Sequence, residues 1–203
     1  PALTKDYIKV VTTTFNSFNY KATEYSDLTC DSEEKLDLAD FIADDIYKEV
    51  NQISSRNVVR GKYSNHNFLV ADVALYSGSG KAKKTDFVGK YISLGNDLEF
   101  SGKIVLVNKL KENSVDLPTN LEGLEVVLED ETFSIYSTAD LKDKAESLLG
   151  KKFISAIKNL TIDETLLNAN VVVWGGHTAL YLSYSDPVIA LPFEKEFDGK
   201  AMK

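Results

Sequence analysis

Val58-Val-Arg-Gly-Lys-Tyr63, Ser64-Asn-His-Asn67 and Phe68-Leu-Val-Ala-Asp-Val-Ala-Leu-Tyr76 follow one another without a break, and the period of this stretch decides the fold class. Leu69, Ala71, Val73 and Leu75 fall at alternate positions and share one face, while Asp72 falls on the other. A period of two belongs to a half-buried strand. The polar tetrapeptide between the runs supplies turn residues, so the stretch predicts a hairpin of strands 58–63 and 68–76. Further along, Phe87 to Leu94 and Phe100 to Asn108 are expected to pair around Gly95-Asn96-Asp97. A strand is expected at Leu124 to Leu128 and a short extended piece at Phe133 to Ser137. Val171 to Leu182 closes the series as a hairpin, with Gly175-Gly176 supplying the positive φ angles of a primed turn. Ser77-Gly-Ser-Gly-Lys-Ala-Lys-Lys84 has the composition of a flexible loop.

Helical spacing frames these strands. Thr4 suits an N-cap and Asp6 a first turn, and Tyr7/Ile8, Val11, Phe15 and Phe18 form one apolar stripe. A second helix is expected from Asp31 or Ser32, with Glu33 and Glu34 in its first turn and Leu38, Phe41, Ile42 and Ile46 on its apolar face. Two short helices are predicted near the middle, one marked by Leu141, Ala145, Leu148 and Leu149, the next by Phe153, Ile154, Ile157 and Leu160. Gly150 punctuates them. Thr161 to Asn168 reads as a connector, and the tail from Asp186 carries Pro187 and Pro192. The resulting expectation is a single soluble α+β domain: N-terminal helices, a mainly antiparallel β-sheet, two short helices and a C-terminal β-hairpin. Residues 1–50 form its helical part, 55–193 its sheet-containing core and 194–203 a tail.

Composition narrows the classes of function. A chain of 203 residues, 43% hydrophobic and 27% charged, can bury one sizeable core. Its net charge of -8 is opposite to the basic footprint that a nucleic-acid binder needs, so no nucleic acid is expected as a partner. The single cysteine, Cys30, excludes an intramolecular disulfide and fits a reducing compartment. No apolar run approaches the roughly 20 residues that span a bilayer.

Candidate chemistry is sparse. There is no G-x-S-x-G elbow, and the two histidines, His66 and His177, both lie beside turns where solvent exposure is expected. One cysteine and two histidines, far apart, make no zinc site. Asp40, Asp44 and Asp45 have helical rather than loop spacing, so neither a metal nor a cofactor is expected. The loop at Ser77 to Lys81 lacks the spacing of a phosphate-binding loop. The acidic run Glu129-Asp130-Glu131 is better read as a turn than as a pair of catalytic carboxylates. Trp174, the only tryptophan, reads as packing over the sheet beside its tight turn. Trp174, His177, Asp130 and Glu131 are therefore the binding candidates; no catalytic residue stands out.

The segment from Leu128 to Leu160, with Leu128-Glu-Asp-Glu-Thr-Phe-Ser-Ile-Tyr-Ser137 leading into the two short helices, resembles a bacterial family of uncharacterised proteins, domain-of-unknown-function family 3137. Phe87-Val-Gly-Lys-Tyr91, Phe100-Ser-Gly-Lys-Ile-Val-Leu106 and the hairpin 171–182 are similar to further strands of that family. The chain departs from the pattern by lacking a proline in the acidic segment. The resemblance implies a hydrophobic hairpin of two transmembrane helices upstream and a cytosol-facing domain of a membrane-anchored bacterial protein. No reaction is established for the family. The expectation that follows is a non-catalytic interaction module whose partner is a protein or a lipid headgroup. The alternative is a hydrolase-type enzyme with a carboxylate site assembled from Asp72, Asp97, Asp130 and Glu131.

Overall fold

A computed structural model of the chain describes residues 25–31, 33–108, 118, 120–129, 131–160 and 166–184. The strands are β1 (Tyr25–Asp31), β2 (Val50–Tyr63), β3 (His66–Ser77), β4 (Lys84–Gly95), β5 (Lys103–Asn108), β6 (Glu125–Glu129), β7 (Phe133–Ser137), β8 (Leu166–Trp174) and β9 (His177–Tyr184). All nine join one antiparallel sheet in the order β1-β2-β3-β4-β9-β8-β5-β7-β6. Three short helices accompany them: α1 (Ala39–Ile42), α2 (Ala145–Leu149) and α3 (Lys151–Leu160).

The expected α+β class is therefore corrected to a mainly-β fold built on one large sheet. The first expected helix, near residues 4–18, and the tail lie outside the described residues. The second, from Asp31 to Ile46, reduces to the single turn of α1. Asp31 Oδ1 does accept the N–H groups of Glu33 (2.8 Å) and Glu34 (3.1 Å), as a cap would. No helix follows, because Leu36 N–H donates instead to Ser55 Oγ on β2 at 2.8 Å. Asp45 and Glu49 then take left-handed φ angles of 48° and 61°, which a helix cannot continue through. The predicted apolar stripe also fails: Phe41 and Ile46 are buried but Ile42 is 59% exposed.

The period-two reading holds where it was sharpest. In β3, Leu69, Ala71, Val73 and Leu75 are all buried on one face. The turn is tighter than expected, with only Ser64 and Asn65 between Tyr63 and His66. Their φ angles of 47° and 69° fit the two-residue turn that matches strand twist. In the β8–β9 turn only Gly176 is left-handed (φ 80°). Gly175 serves a different need: a Cβ there would lie 2.5 Å from the Phe100 carbonyl oxygen. The expected β4–β5 pairing does not form. β4 pairs with β9, and β5 lies between β8 and β7. The connector ends earlier than expected, since β8 begins at Leu166.

Both faces of the sheet carry a core. On one, Val58, Leu69, Val73, Leu75, Phe87, Tyr91, Val105, Val172 and Tyr181 pack beneath Leu36, Phe41, Ile46 and Tyr47 of the 36–50 segment. On the other, Ile104, Leu106, Ile135, Val171 and Val173 pack against Leu141, Ala145, Leu149 and Ile157. The two helices expected around Gly150 are present, and Gly150 separates them with a φ of 74°.

The β4–β9 contact sets one steric requirement. A Cβ on Gly89 would run into the backbone carbonyl of Leu182, which cannot swing aside as a side-chain tip can. Gly89→Ala is expected to destabilise the fold by about 1–3 kcal/mol, read as a lower urea midpoint with an unchanged slope.

Candidate functional site

The β8–β9 turn makes Trp174 and His177 direct cross-strand partners. Their rings lie 4.7 Å apart at 34°. Tyr181 is four residues beyond His177 and so points to the same face. Tyr91 sits opposite Tyr181 on β4, and Lys103 sits opposite Trp174 on β5. Strand parity and register thus gather an indole, an imidazole, two phenols and an ammonium on one face.

Asp44, just beyond α1, is pressed into this cluster with 0% exposure. Its Oδ2 accepts the hydroxyls of Tyr181 at 2.6 Å and Tyr91 at 3.1 Å. Its Oδ1 accepts Trp174 Nε1–H at 3.3 Å. His177 Nε2 lies 3.1 Å from the same oxygen, but off the line of a hydrogen bond. Lys103 Nζ donates to the backbone carbonyls of Asp44 (3.3 Å) and Asp45 (2.9 Å). Asn120 Nδ2 holds Asp45 Oδ1 at 2.6 Å. Side chain and backbone of this loop are therefore fixed from several directions.

Around the carboxylate is an aromatic layer. Phe41 meets Tyr91 at 4.6 Å, and Tyr181 meets Tyr47, Phe87 and Tyr91 edge-on at 5.1–5.5 Å. Burial, then the charge of Asp44 facing each phenol, pushes the Tyr91 and Tyr181 hydroxyls well above the ordinary value of 10.0. Both remain protonated donors throughout the physiological range. Chemically, the arrangement holds a buried carboxylate by directed donors, which is what such a charge requires to stay in an apolar interior.

The sequence-based candidates separate. Trp174 and His177 come together as described. His177 is not the exposed turn residue expected from sequence: its side chain is 20% exposed. His66 likewise opens β3, half-buried, with Nε2 3.3 Å from Asp97 Oδ2. Glu131 is exposed in the β6–β7 turn. Registers place that turn beside Asn108, at the opposite end of β5 from Lys103 and Trp174. Asp130 lies outside the described residues. Asp72 points to the other face of the sheet, paired with Lys90 and accepting Asn57 Nδ2 at 2.6 Å. Asp97 is exposed in the β4–β5 connection. The described members of the expected carboxylate set, Asp72, Asp97 and Glu131, are thus not brought together.

Asp44 is the residue that sequence reasoning passed over. The spacing of Asp40, Asp44 and Asp45 reads as helical, and only the partners of Asp44 leave a signal: His177 and Tyr181 share one strand face, and the two-residue turn pairs Trp174 with His177. Below that turn, Asn96, Asp97, Leu98, Glu99, Phe100, Gly175 and Gly176 line an open cleft of about 490 Å³. The connection is stapled there by Asn96 N–H to Gly176 O (3.1 Å) and Gly176 N–H to Leu98 O (3.0 Å). Among the described residues, no group of three or more His, Cys, Asp or Glu is placed to hold a metal ion. Among them too, no helix is long and apolar enough to cross a membrane.

No protein-family model matches the chain, and no curated protein matches it. Among solved structures it is similar to the crystal structure of the mycobacterial trehalose monomycolate transport factor A, TtfA, at 13% identity and a TM-score of 0.45. The likeness covers 68% of this chain and 65% of that one, less than two thirds of the latter. At that level it assigns neither a fold nor a function.

Two predictions follow from the buried carboxylate. Tyr181→Phe removes a hydrogen bond to a charged group and is expected to cost about 1.5–3 kcal/mol. Asp44→Ala strands several donors and is expected to cost about 3–5 kcal/mol, both read by chemical denaturation. The pH dependence has a definite sign. The folded phenols hold their protons above pH 10.0 while the unfolded ones lose them. The stabilisation is therefore complete below about pH 10 and is lost as pH rises beyond it, by about 1.4 kcal/mol per pH unit for each phenol. Alkaline unfolding of wild type should be steeper than that of a Tyr91→Phe/Tyr181→Phe variant.

Proposed function

We propose that the chain is a non-catalytic interaction module that binds an extended segment of a protein partner along the edge strand β6. The observation that carries this reading is the edge itself. Among the described residues, β6 has β7 as its only strand neighbour, and Val126 on it is 46% exposed. A strand edge presents backbone donors and acceptors to a partner strand, and an exposed apolar side chain adds a contact. The aromatic donors of the candidate site support the same reading, because they are directed at a carboxylate that solvent does not reach. The family resemblance adds attachment to the bacterial membrane by upstream helices and a cytosolic orientation. A full-length reading frame without upstream hydrophobic spans would overturn that attachment.

The test is chemical cross-linking in the native host followed by mass spectrometry, on wild type and on Val126→Asp. The exposed position predicts a change in stability within about 0.5 kcal/mol. One stoichiometric partner should be recovered with wild type and lost with the variant. Recovery of the same partner with both would remove the edge from the reading. Hydrolase or phosphatase turnover abolished by His177→Ala would replace the reading with an enzymatic one.

A further inference from the structure

The β3–β4 connection differs in charge from the chain around it. Lys81, Lys83 and Lys84 fall within four positions of a chain whose net charge is -8, and all three are exposed. The sequence predicts a flexible loop here, but the turn is built. Gly78 and Gly80 take left-handed φ angles of 73° and 55°. Ala82 N–H donates to Ser79 O at 3.0 Å, closing a 3-10 turn over Gly80–Ala82. Gln52 Nε2 holds the Gly78 carbonyl at 3.3 Å, and a Cβ on Gly78 would strike the carbonyl of Ala82. The Lys83 ammonium sits 3.8 Å above the centre of the Tyr76 ring. Lys84 lies 3.5 Å from buried Asp86. Among the described residues, no carboxylate pairs with Lys81 or Lys83. Asp86, paired with Lys84, is the carboxylate that β4 itself supplies at this end.

This turn stands at the end of an overhang. The register between β4 and β9 ends at Lys90, whereas β3 and β4 stay paired through Ser77 and Lys84. Among the described residues, 84–89 of β4, about 20 Å of strand, have no partner in that ladder, although Asp86 and Phe87 within them are buried. Val88, 52% exposed, lies on the outward face of the overhang. It pairs with Ala74, so Tyr76 shares its face two residues further toward the tip. One lysine over an aromatic ring, two more exposed lysines beside it in sequence and an exposed aliphatic side chain behind them match the boundary between water and lipid. Ring and valine fit the headgroup level, while ammonium groups meet phosphates. A nucleic acid would need a longer basic track than three residues on an acidic body.

We infer that the β3–β4 tip, formed by Lys81, Lys83 and Lys84 with Tyr76 and Val88, docks on an anionic lipid bilayer. This goes beyond the edge-strand reading and uses a different surface, so either can fail alone. The experiment is co-sedimentation with vesicles of equal parts phosphatidylcholine and phosphatidylglycerol, against phosphatidylcholine alone. Wild type should bind the anionic vesicles selectively, and binding should weaken with added salt. Lys81→Glu/Lys83→Glu should lower vesicle partitioning at least about five-fold per lysine replaced. Lys151→Glu/Lys152→Glu makes the same change in net charge on α3 and should leave it close to wild type. Equal loss in both double variants, unchanged binding by the tip variant, equal binding to uncharged vesicles, or preference for duplex DNA over vesicles would each overturn the inference. Unchanged thermal unfolding of the tip variant confirms that any loss is not one of folding.

Discussion

A carboxylate with no exposure is the constraint on which the rest of this fold depends. Asp44 carries a charge into an apolar layer, where an unpaired ion would cost several kcal/mol. Donors from three adjacent strands meet it: Tyr91 from β4, Tyr181 from β9 and Trp174 from β8. Those strands must therefore keep their register for the loop to seat, and the loop must seat for the aromatic layer to be covered. Lys103 adds a fourth strand by binding the loop's carbonyl groups rather than its carboxylate. The short α1 turn and the left-handed Asp45 are consequences of bringing this one side chain inward.

That commitment shapes what the molecule offers to others. Its densest collection of polar aromatic groups is directed inward and serves cohesion. What faces outward is of a different kind. Among the described strands, β6 ends one side of the sheet and carries an exposed valine. The β3–β4 tip presents lysines on a turn with two left-handed glycines. The strands between them link the two surfaces through one hydrogen-bonded sheet.

Much of this was legible locally. Alternation in β3, the helices on either side of Gly150, a turn beginning at Ser64 and the turn at Gly175-Gly176 are properties of residues close in sequence. Trp174 packing over the sheet was legible too. β1 was not, because an edge strand with Ser26, Asp27 and Thr29 exposed has little apolar alternation to display. The helix expected at 31–46 failed for a related reason. Its apolar spacing suited a helix, but Leu36 and Asp44 had partners on the sheet that local spacing does not reveal.

The sequence by itself determined the alternation of β3 and which of its faces is apolar, the two short helices around Gly150, and that the chain carries a net negative charge. Each follows from steric and hydrophobic preferences that act within a few residues. Only the tertiary structure decided that β4 joins β9 rather than β5, and that Asp44 reaches Tyr181, 137 residues away. Strand pairing and burial of a charge depend on which distant groups arrive together. A carboxylate has the same local pattern whether water or two phenols will solvate it, so its role existed only once the sheet had assembled around it.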